Sequence, residues 1–111
     1  MKQKRIRVLK VEPGKEPTLV TLNNNLDDLQ KAVSIGAPSQ GLIEIITLEE
    51  DVCILCNEEG KLKGLPKNFR LPWGDVVCGT VIICGVKGED FDDCPVDFRV
   101  WKTLMDDWRA K

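Results

Sequence analysis

Short segments of aliphatic and β-branched residues, separated by turn residues, predict β-strands along most of this chain. Near the start, residues 6–12 and 18–22 have this composition. The pair Pro13-Gly14 between them favours a tight turn. The two segments therefore predict a first β-hairpin.

A short helix is predicted next, over residues 26–35. Asn25 is a favoured N-cap, and the two aspartates that follow it complement the helix dipole. Leu26, Leu29 and Val33 recur at helical spacing, and Gly36 is suited to end the helix.

The middle of the chain predicts a strand meander. Residues 42–48 and 52–56 are apolar on both strand faces, which is typical of interior strands. The turn Asn57-Glu58-Glu59-Gly60 then reverses the chain. Residues 61–65 predict a polar edge strand, because its lysines discourage edge-to-edge association.

Two further segments follow with opposite character. Residues 66–74 contain two prolines, a glycine, two basic residues and two aromatic ones, which predicts an irregular loop of the kind that often forms a binding surface. Residues 75–86 form a long apolar run and predict a central strand. Gly79 within it permits a bulge or the close approach of another backbone.

The last part of the chain predicts an acidic turn over residues 87–93 and then a helix that begins at Pro95, a residue favoured in the first turn. Phe98 and the residues after it place a large apolar side chain on one helix face at each turn. The other members of this stripe are Trp101, Leu104, Met105 and Trp108.

Together these elements predict one α+β domain over residues 1–111, in the order β-β-α-β-β-β-β-α. Its mainly antiparallel sheet has about five to six strands, with two helices on one face. Because two short helices leave apolar strand faces uncovered, we also predict a homodimer that buries the remainder.

The composition is that of an ordinary globular protein, with 42% hydrophobic and 31% charged residues. A net charge of −2 provides no overall attraction to nucleic acid or to an anionic membrane. No apolar run approaches the length of a membrane helix, and we predict a cytoplasmic protein without membrane partners. The chain has no histidine, which excludes His-based triads.

Five cysteines, most of them in strand-like runs, indicate a reducing compartment. Cys53 and Cys56 have the CxxC spacing of zinc and redox sites. On a strand, however, the two thiols point to opposite faces. Buried structural thiols are therefore favoured over a zinc or a redox site, and we predict no metal and no cofactor.

Cys94 precedes the predicted C-terminal helix, where the helix dipole would stabilise a thiolate. The carboxylates of residues 89–97 oppose this effect by raising the thiol pKa. A catalytic cysteine is thus disfavoured, and the carboxylates themselves are interpreted as solvated turns.

Basic, amide and aromatic side chains concentrate around the predicted loop at 66–74, a mixture that suits an anionic ligand, a nucleotide or a protein partner. The same types on an edge strand are more often plain solvated surface. The candidate binding residues are Asn57, Lys61, Lys63, Lys67, Asn68, Phe69, Arg70 and Trp73.

Three blocks, VEPGKEP, CNEEGKLKGLPKN and DVVCGTVIICG, resemble a family of small uncharacterised proteins, a domain of unknown function in Gram-positive bacteria, their phages and other mobile elements. The resemblance covers residues 6–92. In that family an Asn-x-x-Gly turn precedes Gly-Leu-Pro and then Asn-Arg, whereas here Phe69 separates Asn68 from Arg70. The resemblance implies a small accessory protein that binds a host factor, and it provides no established enzymatic activity to transfer.

The first hypothesis is therefore a non-catalytic protein that inhibits a host defence factor by protein–protein contact, for example as an anti-CRISPR protein. Two alternatives stay open. One is a sponge for a small anionic ligand such as a nucleotide signal, held by Lys63, Lys67, Asn68 and Arg70. The other is a nucleic-acid-associated accessory protein. An enzyme is least favoured, because the sequence contains no coherent set of nucleophile, base and orienting group.

If Trp101 anchors the C-terminal helix to the sheet, Trp101→Ala will lower the free energy of unfolding by about 3 to 5 kcal/mol, since a large core side chain is lost. Thermal denaturation followed by circular dichroism measures the effect. An unchanged melting midpoint would contradict this placement of the helix.

Overall fold

The computed structural model describes residues 5–37 and 40–110. Pro38 and Ser39, which belong to the predicted loop after the first helix, lie outside the described residues. The elements in chain order are β1 (Arg5–Val11), β2 (Thr18–Asn23), α1 (Leu26–Val33), β3 (Ile43–Glu49), β4 (Val52–Asn57), β5 (Lys67–Arg70), β6 (Val76–Cys78), β7 (Val81–Lys87), β8 (Asp90–Asp92) and α2 (Phe98–Arg109).

An antiparallel sheet forms the centre of the domain. Within the described residues its strands lie in the order β2-β1-β7-β4-β3, and β8 joins it by pairing with the end of β7. β5 and β6 form a separate two-stranded hairpin. The predicted α+β class, the mainly antiparallel six-stranded sheet and the order of strands and helices are thereby confirmed. No helix in these two described ranges is long and apolar enough to cross a membrane.

Both faces of the sheet are covered. On β4, Cys53 and Leu55 face Leu29 and Val33 of α1, whereas Ile54 on the other face belongs to the core beneath α2 and the β5–β6 hairpin. β1 and β7 alternate in the same way. The prediction that both helices share one face is therefore wrong, because strands that are apolar on both sides need a cover on each.

The start of α1 agrees with the sequence prediction, whereas the start of α2 does not. In α1 the side chain of Asn25 accepts a hydrogen bond from the Asp28 amide, which confirms the predicted N-cap. α2 begins at Phe98 rather than at Pro95, because Asp97 is its N-cap and accepts from the Arg99 amide at 2.7 Å.

β3 lies at an edge of the sheet, where we predicted an interior strand over 42–48. Within the described residues it pairs with β4, and its Ile45 side chain is mostly exposed. An apolar run indicates that a strand packs well but does not indicate how many neighbours it has.

Residues 61–65 do not form the predicted edge strand. The Lys63 amide donates to the Glu59 carbonyl at 2.9 Å, and the side chains of the same two residues form an ion pair at 3.3 Å. This is the i, i+4 pattern of a helical turn. Gly64, with φ of 70°, then ends the turn.

The predicted loop at 66–74 and the predicted strand at 75–86 also differ from the structure. Part of the loop is β5, which pairs with β6, and the long apolar run is broken between β6 and β7. Gly79 makes the break, because its φ of 84° turns the backbone from the hairpin into the central sheet. The predicted acidic turn at 87–93 contains β8, which continues the sheet beside β7.

Gly85 on β7 is a position that sequence reasoning overlooked. A Cβ added there would lie 2.2 Å from the Asp93 carbonyl oxygen, so the segment after β8 can approach β7 only because Gly85 has no side chain. The same segment contacts β1, where the Cys94 amide donates to the Arg7 carbonyl at 2.8 Å.

Gly85→Ala should therefore destabilise the protein by about 3 kcal/mol or more, because a backbone carbonyl has to move. Urea denaturation followed by tryptophan fluorescence measures this. Gly14→Ala is the matched control, since its Cβ meets open space and adds only the cost of a positive φ, about 1 kcal/mol. Equal losses in the two variants would contradict the close approach at Gly85.

Candidate functional site

The β5–β6 hairpin carries most of the candidate binding residues and packs against α2. Phe69 is fully buried, and its ring centroid lies 5.5 Å from that of Trp108. Trp108 in turn makes an edge contact with Trp101 at 6.5 Å. Phe69 is thus part of the core and attaches the hairpin to the helix.

Asn68 is a buried hydrogen-bonding node rather than an exposed side chain. Its Nδ2 donates to the carbonyls of Val11 at 2.8 Å and of Gly79 at 2.9 Å. Its Oδ1 accepts from Nη2 of Arg109 at 2.8 Å. Asn68 therefore joins β1, the hairpin, the bend at Gly79 and the end of α2.

Arg109 completes this node. Nη2 also donates to the Glu12 carbonyl at 2.7 Å, and Nη1 donates to the Lys15 carbonyl, so the guanidinium holds the turn between β1 and β2. Burial lowers the pKa of Arg109. Because an arginine stays protonated even so, these bonds remain charge-assisted.

Asn57, at the end of β4, is also buried, and its side chain forms hydrogen bonds within the protein. Its Oδ1 accepts from the Glu59 amide at 2.9 Å and its Nδ2 donates to Oγ of Ser34 at 3.2 Å. The first bond starts the turn that replaces the predicted edge strand. The second ties that turn to the end of α1.

The four basic candidates do not converge on one pocket. Lys63 pairs with Glu59, Arg70 donates through Nη1 to the Gly74 carbonyl at 3.0 Å, and Lys67 is exposed on β5. Lys61 lines a cleft of about 400 Å³ between the turn at 57–62 and β6.

That cleft is chemically unsuited to an anion. Glu44, Glu58 and Asp75 line it together with Lys61, so carboxylates outnumber the cation among the described lining residues. Cys56 also faces it, and its Sγ lies 3.7 Å from Oε1 of Glu44. Burial, followed by the charge of Glu44, raises the pKa of Cys56 to about 12, which keeps this thiol protonated.

Trp73 lies at a different surface, an apolar groove of about 370 Å³ that we call the Trp73 groove. Trp73 is 54% exposed, and its Nε1 donates to Oδ2 of Asp75 at 3.0 Å. The groove is otherwise lined by the end of β3, the start of β4, the turn between β5 and β6, the segment before α2 and one side of α2. The lining residues besides Trp73 are Leu48, Glu49, Val52, Pro72, Val96, Val100, Trp101, Leu104 and Trp108.

Cys53 and Cys56, the two cysteines with the CxxC spacing, do not form one site. Cys53 and Cys56 belong to the cores on opposite faces of the sheet, as the strand geometry predicted. Cys94 precedes the N-cap of α2 by three residues instead of standing at the helix start, and burial raises its pKa. Within residues 5–37 and 40–110, no cluster of three or more Cys, Asp or Glu side chains is arranged to hold a metal ion.

Sequence reasoning identified Trp73 but missed the helix residues beside it. Val96, Val100 and Leu104 recur at intervals of four, so a second apolar stripe was visible next to the one with Trp101. Arg109 had no comparable signal, because its partners lie 41, 94 and 97 positions away in the chain.

Asn68→Ala is expected to lower the free energy of unfolding by about 2 to 4 kcal/mol, because it leaves buried carbonyls and part of the Arg109 guanidinium without partners. Arg70→Ala, two residues away and exposed, should change it by no more than about 0.5 kcal/mol. Chemical denaturation of both variants measures this difference. Equal stability in the two would contradict a structural role for Asn68.

Comparison with known proteins gives a family and no activity. No curated protein and no solved structure matches this chain. One family model does match, that of a domain of unknown function, DUF3846, and the match extends over residues 6–107. These residues contain both faces of the sheet, the cleft at Lys61, the Trp73 groove apart from Trp108, and α2 as far as Asp107. The protein therefore belongs to the DUF3846 family.

Proposed function

We propose that this protein is a non-catalytic binding protein whose Trp73 groove receives a partner protein. The observation that carries the proposal is the groove itself, whose mainly apolar lining includes Trp73 and Val100, with exposed fractions of 54% and 49%. Exposed aromatic side chains around an apolar groove are typical of protein interfaces.

The groove is also preformed. The indole of Trp73 is held by Asp75, and the backbone beside it is held by the bond from Arg70 to Gly74. Because Trp73 and the nearby backbone are already ordered, little conformational entropy is lost when a partner binds. More of the contact free energy therefore contributes to the affinity. A tryptophan in such a position commonly contributes much of the binding energy.

The surroundings of the groove add a charge preference. Glu49 lines it, and Glu50 and Asp51 follow in the exposed turn between β3 and β4. In the described part of the chain none of these three carboxylates forms an ion pair within 4.0 Å. A partner with an apolar anchor and neighbouring Lys or Arg residues would therefore be favoured.

The class of partner follows from the sequence resemblance to proteins of phages and mobile elements. Small accessory proteins in that setting commonly act on a host factor, so we propose a host defence protein as the partner and inhibition by contact as the activity.

The test uses tagged protein as bait in a lysate of a bacterial host, with candidate partners identified by mass spectrometry and their affinity measured by calorimetry. Trp73→Ala and Val100→Glu should each weaken binding about tenfold or more, because they remove an anchor or place a charge in the groove. Glutamate near the start of α2 suits the helix dipole, so Val100→Glu should still fold.

Leu62→Ala is the matched control. Leu62 is 88% exposed and lies at the other cleft, so its loss should leave affinity unchanged. The proposal would be overturned by a partner that binds the two groove variants as tightly as the parent, or by a lysate that yields no partner protein for the parent.

A further inference from the structure

Cys53 and Cys84 form a buried pair of thiols that the binding function does not use. They are direct neighbours across the antiparallel pairing of β4 and β7. Their Sγ atoms lie 3.6 Å apart, and the two residues are 1% and 0% exposed. Both side chains point into the core on the α1 side of the sheet.

We propose that Cys53 and Cys84 are a redox-active dithiol, which a small hydroperoxide converts into a disulfide between β4 and β7. Directly paired residues of antiparallel strands have Cα atoms about 4.5 to 5.5 Å apart, inside the range of about 4.4 to 6.8 Å that disulfides span. The sulfur atoms must approach from 3.6 Å to about 2 Å. Side-chain rotation supplies this movement without separating the strands.

Either thiol can donate the hydrogen bond between the two sulfur atoms. With Cys84 as the donor, the contact lowers the pKa of Cys53, whereas the same contact and burial raise the pKa of Cys84. Since the thiolate is the nucleophile, Cys53 attacks and Cys84 resolves.

In the first step the Cys53 thiolate attacks one oxygen of hydrogen peroxide, the O–O bond breaks, and Cys53 becomes a sulfenic acid while hydroxide leaves. In the second step the Cys84 sulfur attacks the Cys53 sulfur, the S–O bond breaks and the S–S bond forms. The proton of Cys84 and the departing oxygen leave as water. Two thiols and one peroxide thus give one disulfide and two molecules of water.

Burial and proximity act on different properties of this reaction. Burial limits the rate and favours a small uncharged oxidant, because a bulky one requires the core to open. Proximity decides the product, since a sulfenic acid at Cys53 meets the Cys84 sulfur before another reagent. Cys56 cannot compete for Cys53, because it lies in the core on the opposite face.

The experiment exposes the folded protein to hydrogen peroxide and then maps its disulfides by mass spectrometry. The expected product is about 2 Da lighter than the parent, with one crosslink between the peptides of Cys53 and Cys84, and a reducing agent reverses the change. The melting midpoint of the oxidised protein should rise by about 5 to 10 °C, because the crosslink constrains the unfolded chain.

Cys84→Ala should abolish the crosslink and leave Cys53 to gain oxygen, whereas Cys94→Ala should form it normally. Circular dichroism verifies that both variants fold. If Cys84→Ala does not fold, the disulfide map of the parent protein alone tests the proposal. The proposal would be overturned if the parent gained about 32 Da at single cysteines, linked a different pair, or kept Cys53 and Cys84 as thiols while Cys78 or Cys94 were oxidised.

Discussion

The structure depends on one constraint, which is that β1, β4 and β7 are apolar on both faces. A sheet with such strands at its centre must be covered on both faces to keep its apolar side chains from water. A chain of 111 residues has few helices and hairpins with which to cover them. α1 covers one face. The other is covered by α2 together with the β5–β6 hairpin, because a helix alone would leave part of the face open.

That second cover explains several features that look unrelated. The chain leaves the central sheet after β4, builds the hairpin above it, and returns through the bend at Gly79 to form β7. The Asn68–Arg109 node then fixes the hairpin, the helix end and the β1–β2 turn to one another. The Trp73 groove lies at the seam between hairpin, helix and sheet, so the candidate binding surface results from how this face is closed.

Local signals predicted the parts of the fold that local interactions decide. The first hairpin, the N-cap at Asn25, the strand at 52–56 and the stripe of Trp101, Met105 and Trp108 all follow from spacing and turn chemistry. The position of β3 at the edge, the break at Gly79 and the burial of Asn68 depend on partners distant in sequence. For the same reason the candidate site was predicted only in part. Trp73 is exposed, whereas Phe69 and Asn68 from the same segment are buried in the protein interior.

The contacts of Arg109 also bear on how the protein is made. A residue near the end of α2 holds carbonyls of Glu12 and Lys15, and β1 finds its central neighbour only when β7 is present. The first hairpin therefore leaves the ribosome long before its structural partners are synthesised. The domain can reach its native form only after translation has passed Arg109, so until then the nascent chain exposes apolar strand faces.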